Sequence, residues 1–374
     1  MKIFYIANAR IPTEKAHGVQ IMKMCEAFAR LGHEVRLIVP KRKSHISEEA
    51  FAYYGIPKSF EILYLPSVDL ISLSGLVPKV FSWLQNYTFA KSVGDHLKNN
   101  QAELILTRDE LTALSLPPSQ TILEIHNLSR ILKSKAAKLN RLKRIISITH
   151  GLKSELVKLG YDRSKIEVLP DGVDLAQFKP ESEKLTVRKQ LGLPEDKKII
   201  MYTGNFFPWK GVYTLAGAAQ HLPDDYLVVF VGGSPFELKN FKEFTDSKQL
   251  SSKILTLGHL PYAQMPNYLE SADILALPNS ALADISKSYT SPLKMFEYMA
   301  AGKPIVASDL PSIKEILNDN NAIFVKPDDF AALAEGIKKA LTDEELAQRI
   351  GEQAFQDVQQ YDWSKRVEKI LRLA

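Results

Sequence analysis

A lysine and a glutamate that follow a predicted helix start have the types and spacing to bind a phosphorylated ligand. Ser291 is a favoured helix cap and Pro292 a favoured first helical residue, so the sequence predicts that a helix begins there. The free N–H groups near Leu293, with Lys294 beside them, are typical of an anion site. Glu297 lies three residues after Lys294 and could accept hydrogen bonds from the two hydroxyls of a ribose. A surface ion pair between the two side chains is the plainer alternative.

A second candidate segment covers residues 202–211 and follows a predicted strand. Gly204 allows the backbone to approach a ligand closely. Lys210 precedes a predicted helix and could place its ammonium group against a phosphate. An ordinary loop with a solvated lysine and a turn residue at Asn205 would look the same.

Two residues of the first half are weaker candidates. His126 ends an apolar run, and Gly18 lies in the predicted loop between the first strand and the first helix. A single histidine is more often structural than catalytic. The chain has no Gly-x-Gly-x-x-Gly or phosphate-loop pattern, which disfavours a dinucleotide oxidoreductase or a nucleoside triphosphatase. No helix carries His and Glu at metal-ligand spacing, so no metal site is expected.

Alternating strands and helices must position these residues. The first unit reads as a strand at 2–7, a helix at 19–31 and a strand at 34–39. The same alternation returns from residue 198 onward, so the chain is predicted to be α/β with two doubly wound parallel sheets. The charged segment 179–198, with two prolines, is the best linker candidate. Ligands of such sheets collect in the loops after the strands.

The composition is that of a globular protein of about two domains. Hydrophobic residues make up 45% of the 374 residues, charged residues make up 24%, and Cys25 is the one cysteine. No uncharged run is long enough for a membrane span, and the N-terminus does not resemble a signal peptide. A cytoplasmic protein is therefore expected.

Positive charge is concentrated in the first half of the chain. Residues 1–180 carry a net charge of +9 within a total of +5, and much of the excess lies in 130–144. This segment could lie on an anionic membrane or meet a phosphorylated acceptor, or it could be a solvated helix face. It lacks interleaved aromatic residues, so no nucleic-acid partner is expected.

Taken together, these segments resemble the retaining glycosyltransferases of family 4, which have the GT-B fold. The resemblance covers nearly the whole chain, and residues 291–304 carry its most specific part. The other matching segments are Gly18-Val19, residues 32–35, Glu124-Ile125-His126, residues 169–174, Phe178, residues 204–211, Gly258-His259-Leu260 and Ala272-Asp273-Ile274.

The resemblance implies two Rossmann-like domains that face each other across a cleft. Residues 1–178, joined by a final helix at about 361–374, would form the acceptor-side domain. Residues 179–360 would bind a nucleoside-diphosphate sugar, the one cofactor-like ligand expected, without a metal. Lys210 and His126 would be catalytic, with His126 touching the transferred sugar. The donor would contact Gly18, Gly204, Asn205, His259, Leu260, Tyr289, Ser291, Pro292, Leu293, Lys294 and Glu297.

Two positions depart from the family pattern. Tyr289 stands where the family usually has a glutamate that contacts the transferred sugar, and Asn205 replaces an arginine that contacts a phosphate. Lys294 could compensate for the missing arginine. The departures leave the donor sugar open and could mark a subgroup or a weakened enzyme.

The predicted activity is retaining transfer of a sugar to a hydroxyl acceptor, in cell-surface polysaccharide or glycolipid synthesis. Residues 70–89, with Phe81, Trp83, Tyr87 and Phe89, suggest a lipid-linked acceptor at the inner face of the membrane, although the aromatic residues could equally be core. The alternatives are a sugar-nucleotide epimerase of the same fold and a silent sugar-nucleotide or glycan-binding module.

Overall fold

A computed structural model describes residues 1–69, 78–178 and 183–374 of the protein. The chain divides into two compact units, Met1–Pro170 with Trp363–Ala374 and Asp171–Asp362. The first division falls after Pro170 rather than after Phe178, because Val173 and Phe178 are buried in the core of the second unit.

The first unit is built on a parallel sheet whose successive strands are joined by crossover connections. The sheet has seven strands in the order β3-β2-β1-β4-β5-β6-β7. Ile3 of the first strand, which lies inside the sheet, pairs with Val35 on one side and Leu104 on the other. Its strands are β1 (Lys2–Ile6), β2 (Glu34–Pro40), β3 (Glu61–Leu65), β4 (Leu104–Thr107), β5 (Thr121–Ile125), β6 (Arg144–Ser147) and β7 (Ile166–Val168).

Within the described residues, seven α-helices of this unit precede the domain division. They are α1 (Ala16–Arg30), α2 (Ala50–Tyr54), α3 (Pro78–Leu97), α4 (Glu110–Ala113), α5 (Arg130–Ser134), α6 (Ala136–Leu139) and α7 (His150–Lys158). On α3, Phe89 is core, whereas Trp83 and Tyr87 are 60% and 51% exposed and stack on each other. The predicted aromatic segment is thus part core and part surface, and its residues 70–77 lie outside the described residues.

The second unit repeats the plan with a six-stranded parallel sheet in the order β10-β9-β8-β11-β12-β13. Its strands are β8 (Lys198–Thr203), β9 (Tyr226–Val231), β10 (Ile254–Gly258), β11 (Ile274–Leu277), β12 (Ile305–Ser308) and β13 (Ile323–Val325). Its helices are α8 (Lys184–Leu191), α9 (Val212–Ala218), α10 (Pro235–Ser247), α11 (Met265–Ser271), α12 (Leu293–Ala300), α13 (Pro311–Lys314), α14 (Phe330–Thr342) and α15 (Glu344–Val358). The prediction of two doubly wound parallel sheets is confirmed.

Strand periodicity explains why β8 is buried on both faces. Ile199 and Met201 pack into one core cluster together with residues of α12. Ile200 and Tyr202 point the other way and join a second cluster that includes residues of α9. Successive side chains of a strand alternate between the two faces of the sheet, so a continuous apolar run is what a doubly covered strand requires.

The predicted linker is largely packed structure. Residues 179–182 lie outside the described residues, but α8 buries Val187 and Arg188. The Arg188 guanidinium donates to Asp273, at 2.6 Å, just before β11. Residues 183–198 therefore belong to the second unit.

The last helix, α16 (Trp363–Leu373), belongs to the first unit, where it packs against α1. It buries Val367 and Ile370, and also Arg366. Within the described residues, no helix combines the length and the apolar composition that a membrane crossing requires.

Candidate functional site

The loop after β8 is held by backbone contacts that only glycine permits. Gly204 has φ of +120°, and its N–H donates to the Val231 carbonyl at 2.8 Å. A Cβ on Gly232 would lie 2.3 Å from the Gly204 carbonyl oxygen, so a side chain there would displace the loop. The Tyr202 hydroxyl donates to the Asn205 carbonyl at 2.7 Å. Asn205 is thus placed by its backbone at the carboxyl edge of the sheet.

Lys210 stands where the same loop meets the end of β11. It closes the short 3₁₀ turn Pro208–Lys210, and Gly211 follows with φ of +74°. A Cβ on Gly211 would lie 1.7 Å from the Pro278 carbonyl oxygen, which requires glycine at this position. Burial lowers the pKa of the Lys210 ammonium to about 8, against the opposing influence of Glu237 and Glu297.

Lys294 places a cation beneath this loop. It lies in the first turn of α12, is buried, and holds its Nζ 3.5 Å from the centre of the Tyr202 ring. A Cβ on Gly204 would lie 3.2 Å from that Nζ. The Nζ has no hydrogen-bond partner among the residues that the structure describes. Burial, and then the charge of Lys210, hold the pKa of Lys294 well below its usual value.

Glu297 lies one turn further along α12 and is also buried. Its carboxylate accepts a hydrogen bond from the Tyr262 hydroxyl. Burial raises the pKa of Glu297 to about 7, although Tyr262 and the two lysines act in the opposite direction. Because Lys210 and Glu297 influence each other's pKa and both influence the pKa of Lys294, the structure brings these three predicted residues into one cluster.

The predicted cap of α12 is wrong. The helix begins at Leu293, with Pro292 in the capping position, because the Ser291 Oγ is used elsewhere: it accepts a hydrogen bond from the Asp171 N–H at 3.2 Å. The first intrahelical bond runs from the Met295 N–H to the Pro292 carbonyl at 2.9 Å. The N–H groups of Leu293 and Lys294 precede that bond, so they are the donors that this terminus offers.

The remaining donor candidates of the second unit lie on neighbouring loops. His259 follows β10 and is exposed, whereas Leu260 is half-buried and packs against a core cluster. Tyr289 ends a single π-helical turn, Ile285–Tyr289, and is half-buried. A role in ligand binding for these three residues stays a prediction.

Gly18 lies in a helix and not in a loop, which corrects the prediction. Helix α1 begins at Ala16, before the apolar run that predicted a start at residue 19. A Cβ on Gly18 would lie 2.1 Å from the Tyr54 hydroxyl, which accepts from the Thr13 N–H and donates to the Thr13 carbonyl. The close packing against Tyr54 therefore explains why this position is glycine. A contact between Gly18 and a diphosphate stays a prediction.

His126 follows β5 directly and is half-buried. Its Nε2 lies 2.6 Å from Oε1 of Glu124, which is fully buried.

Sequence reasoning missed the groups that hold the predicted residues in place. Tyr202 and Tyr262 contact Lys294 and Glu297, and the Tyr298 hydroxyl accepts from the Thr203 N–H at 2.8 Å. Buried tyrosines require a partner for their hydroxyl, which is the signal that could have marked them.

Two parallel-sheet α/β units are the architecture of the GT-B glycosyltransferases, and the comparisons place the chain in this class. Family models agree: one described as Glycosyltransferase Family 4 matches residues 17–177, and one described as Glycosyl transferases group 1 matches residues 183–357. The chain therefore belongs to the family 4 glycosyltransferases.

The individual proteins that resemble the chain have low sequence identity to it. TuaC of Bacillus subtilis, whose name assigns it to teichuronic acid biosynthesis, is 29% identical over 234 residues, which are 60% of this chain and 54% of TuaC. The chain thus spans about half the length of this curated relative. Sucrose-phosphate synthase of Thermosynechococcus elongatus superposes with a TM-score of 0.82 at 20% identity, covering 100% of this chain and 98% of the other. HepE of Anabaena in complex with UDP-glucose superposes with a TM-score of 0.78 at 16% identity, covering 100% of both chains.

Proposed function

We propose that the protein transfers a sugar from a nucleoside-diphosphate sugar to a hydroxyl acceptor, with retention of the anomeric configuration. The observation that carries this proposal is the buried Lys294 ammonium, which has no hydrogen-bond partner in the described residues and lies near Lys210. Two neighbouring cations, one of them buried without a hydrogen-bond partner in the described residues, favour a ligand with two phosphates.

Glu297 completes the proposed donor site. A buried carboxylate one helical turn from Lys294 suits the two hydroxyls of a ribose, because an ionised carboxylate accepts hydrogen bonds at both oxygens. The UDP-glucose complex of HepE, which shares the fold, makes UDP-glucose the first donor to test. The two lysines neutralise the diphosphate, so the proposed reaction needs no metal ion.

The proposed reaction breaks the bond between the anomeric carbon and the diphosphate oxygen and forms a bond from that carbon to the acceptor oxygen. The acceptor hydroxyl attacks from the face that the diphosphate leaves and gives its proton to a phosphate oxygen. No protein nucleophile is required. The chain supplies the charge that stabilises the departing diphosphate, from Lys210, Lys294 and the first N–H groups of α12.

Thermal unfolding with a panel of nucleotide sugars tests this assignment. A donor at a hundred times its dissociation constant should add about 2.7 kcal/mol to the stability of the unit that binds it. We expect one nucleotide sugar to raise the melting temperature of the wild type and to leave that of Lys210→Ala unchanged. Transfer to a hydroxyl acceptor with EDTA present should then follow. Turnover of the donor without an acceptor would instead favour an epimerase, and binding without any turnover a binding module.

For the acceptor, we propose a lipid-linked or polymeric glycan at the cytoplasmic face of a membrane with anionic lipids. Lys133, Lys135, Lys138 and Arg141 are exposed, and none of them forms an ion pair within the described ranges. Residues 130–144 contain no acidic side chain. Such a surface gains about 1 kcal/mol for each basic residue near an anionic leaflet.

Vesicle sedimentation tests the proposed membrane contact. We expect the protein to sediment with vesicles that contain anionic lipid and not with zwitterionic vesicles. The triple variant K133A/K135A/K138A should lose about 3 kcal/mol of this binding, since each lysine gives about 1 kcal/mol. The variant K239A/K242A/K248A removes the same charge from exposed positions of the second unit and should bind like the wild type. Equal losses in both variants would show a response to net charge alone.

A further inference from the structure

The two lysines of the candidate donor site lie against aromatic rings. The Lys294 Nζ is 3.5 Å from the centre of the Tyr202 ring. The Lys210 Nζ is 5.3 Å from the centre of the Trp209 ring and 5.9 Å from that of the Phe207 ring. These distances fall within the range of about 6 Å over which a ring face attracts a cation. Each lysine is therefore placed for a cation–π contact.

No carboxylate pairs with either lysine among the residues that the structure describes. The Lys294 Nζ also has no hydrogen-bond partner there. Glu237 and Glu297 favour the charged form of Lys210, and Glu297 does the same for Lys294. These two carboxylates act from beyond ion-pair distance, whereas the ring faces lie next to the ammonium groups.

Tyr202 has little freedom to move away from Lys294. It is fully buried in β8, and its ring packs against Phe206 and Phe230, with ring centres 6.1 and 5.7 Å away. Its hydroxyl donates to the Asn205 carbonyl at 2.7 Å. Burial raises the pKa of Tyr202 well above its usual value, so the hydroxyl keeps the proton that this bond needs. The side chain thus fixes the lysine and the loop after β8 relative to each other.

A ring and a carboxylate leave different charges for a ligand. The face of a ring attracts a cation through its quadrupole and carries no net charge. A carboxylate would neutralise the lysine, and a phosphate would have to displace it before binding. Rings can therefore place a cation while its full charge stays available to an anion.

We propose that Tyr202 and Trp209 are positioning residues of the donor site, which hold Lys294 and Lys210 on their rings so that both ammonium groups stay unpaired for the diphosphate. The inference rests on the proposed function, in which the two lysines bind the diphosphate, and adds the side chains that place them. The Tyr202 hydroxyl also fixes the loop backbone at Asn205.

Nuclear magnetic resonance of the Lys294 ε-methylene group tests the ring contact without any ligand. Protons over a ring face resonate upfield of their ordinary position, and the signal is assigned by its loss in Lys294→Met. We expect an upfield signal in the wild type and in Tyr202→Phe, and an ordinary position in Tyr202→Leu. The pKa of Lys294 should be lower in Tyr202→Leu than in Tyr202→Phe, because the ring face favours the charged form. An ordinary position in the wild type would overturn the proposal.

Donor affinity with a matched control separates positioning from packing. The Kd for UDP-glucose should rise about 2- to 10-fold in Tyr202→Phe, which loses one hydrogen bond, and about 10- to 100-fold in Tyr202→Leu, which also loses the ring. Trp209→Leu should weaken binding about 2- to 10-fold. Phe241→Leu removes a fully buried ring of the same core cluster that packs against Phe206 and Phe230. It should lose stability and keep the wild-type Kd.

Phe207→Glu is the reverse test, because it places a carboxylate beside Lys210. Phe207 is 42% exposed, so the substitution should leave the fold intact. The new ion pair should weaken the binding of UDP-glucose about 10- to 100-fold. Leu185→Glu adds the same charge at an exposed position of α8 and should bind like the wild type. Equal losses in both variants would show an effect of net charge and count against the proposal.

If Tyr202→Leu keeps the wild-type Kd while it loses as much stability as Phe241→Leu, Tyr202 is a core residue alone and the proposal fails. If the wild type binds no nucleotide sugar, the proposed function fails, and the Lys294 signal still decides whether the ring holds the ammonium group.

Discussion

Lys294→Met should raise the melting temperature of the protein and abolish its response to a nucleotide sugar. Methionine fills a similar volume against the Tyr202 ring without the ammonium charge that burial disfavours. We expect a gain of roughly 1–4 kcal/mol, the range found when buried ionic groups give way to apolar ones. The same change removes one cation from the diphosphate, so kcat should fall about 10²- to 10³-fold.

The stability gained in Lys294→Met should depend on pH. Because the folded-state pKa of Lys294 is lowered, the cost of burying the charge is largest at low pH. That cost disappears as the pH rises towards the unfolded-state value of 10.5. The advantage of Lys294→Met should therefore shrink as the pH rises from 7 towards 10.

Lys287→Met is the control for this substitution, since Lys287 is an exposed lysine of the preceding π-helical turn. It should change neither the melting temperature nor the ligand response. A Lys294→Met protein that still binds the donor with wild-type affinity would show that Lys294 does not bind the diphosphate, which would contradict the proposed function.

The sequence was sufficient for the fold because each doubly covered strand is a short apolar run that ends in a glycine, proline or polar residue. The apolar runs at 198–203 and 226–231 lie where the predicted alternation returns, and they form β8 and β9. Helix α10 escaped detection, although Ser234 and Glu237 form a capping box that precedes it. Only Phe241 and Thr245 of this helix are buried, so α10 presents a narrow apolar face.

The candidate site was predicted in part. Lys210, Lys294 and Glu297 do come together, because loops that follow neighbouring parallel strands share one edge of the sheet. The helix cap was wrong for a reason that no local pattern contains: Ser291 bonds Asp171, which lies 120 residues earlier in the chain. Contacts over such distances in the chain also explain why the pairing of Glu124 with Arg366 was not foreseen.

Glu297 should make both stability and donor binding depend on pH near neutrality. Its folded-state pKa of about 7 exceeds the unfolded value of 4.5, so the native state holds the proton more tightly. The free energy of unfolding should fall by about 3 kcal/mol as the pH rises from 4.5 through 7, at 1.36 kcal/mol for each pKa unit. Glu297→Gln has no such proton and should be the more stable protein above pH 7.

Urea denaturation at a series of pH values, followed through the transition that the bound donor stabilises, measures this difference. Glu352→Gln, at an exposed position of α15, provides the baseline for removal of a carboxylate. If the difference in the free energy of unfolding between wild type and Glu297→Gln stays constant from pH 4.5 to 8, the folded state does not raise the pKa of Glu297.

Below pH 7, the affinity for the donor should change with pH in the opposite direction from the stability. It should increase as the pH rises, because the ribose hydroxyls require an ionised carboxylate. The affinity for UDP-glucose should rise as the pH approaches 7 and fall above 8, where Lys210 loses its proton. UDP-glucose is the suitable probe, since it lacks the terminal phosphate that itself titrates with a pKa of about 6. Glu297→Gln should bind roughly 10- to 100-fold more weakly at pH 7.5 and lose the rise on the acidic side while keeping the fall above 8. An acidic limb that persists in Glu297→Gln would assign ribose recognition to a different group.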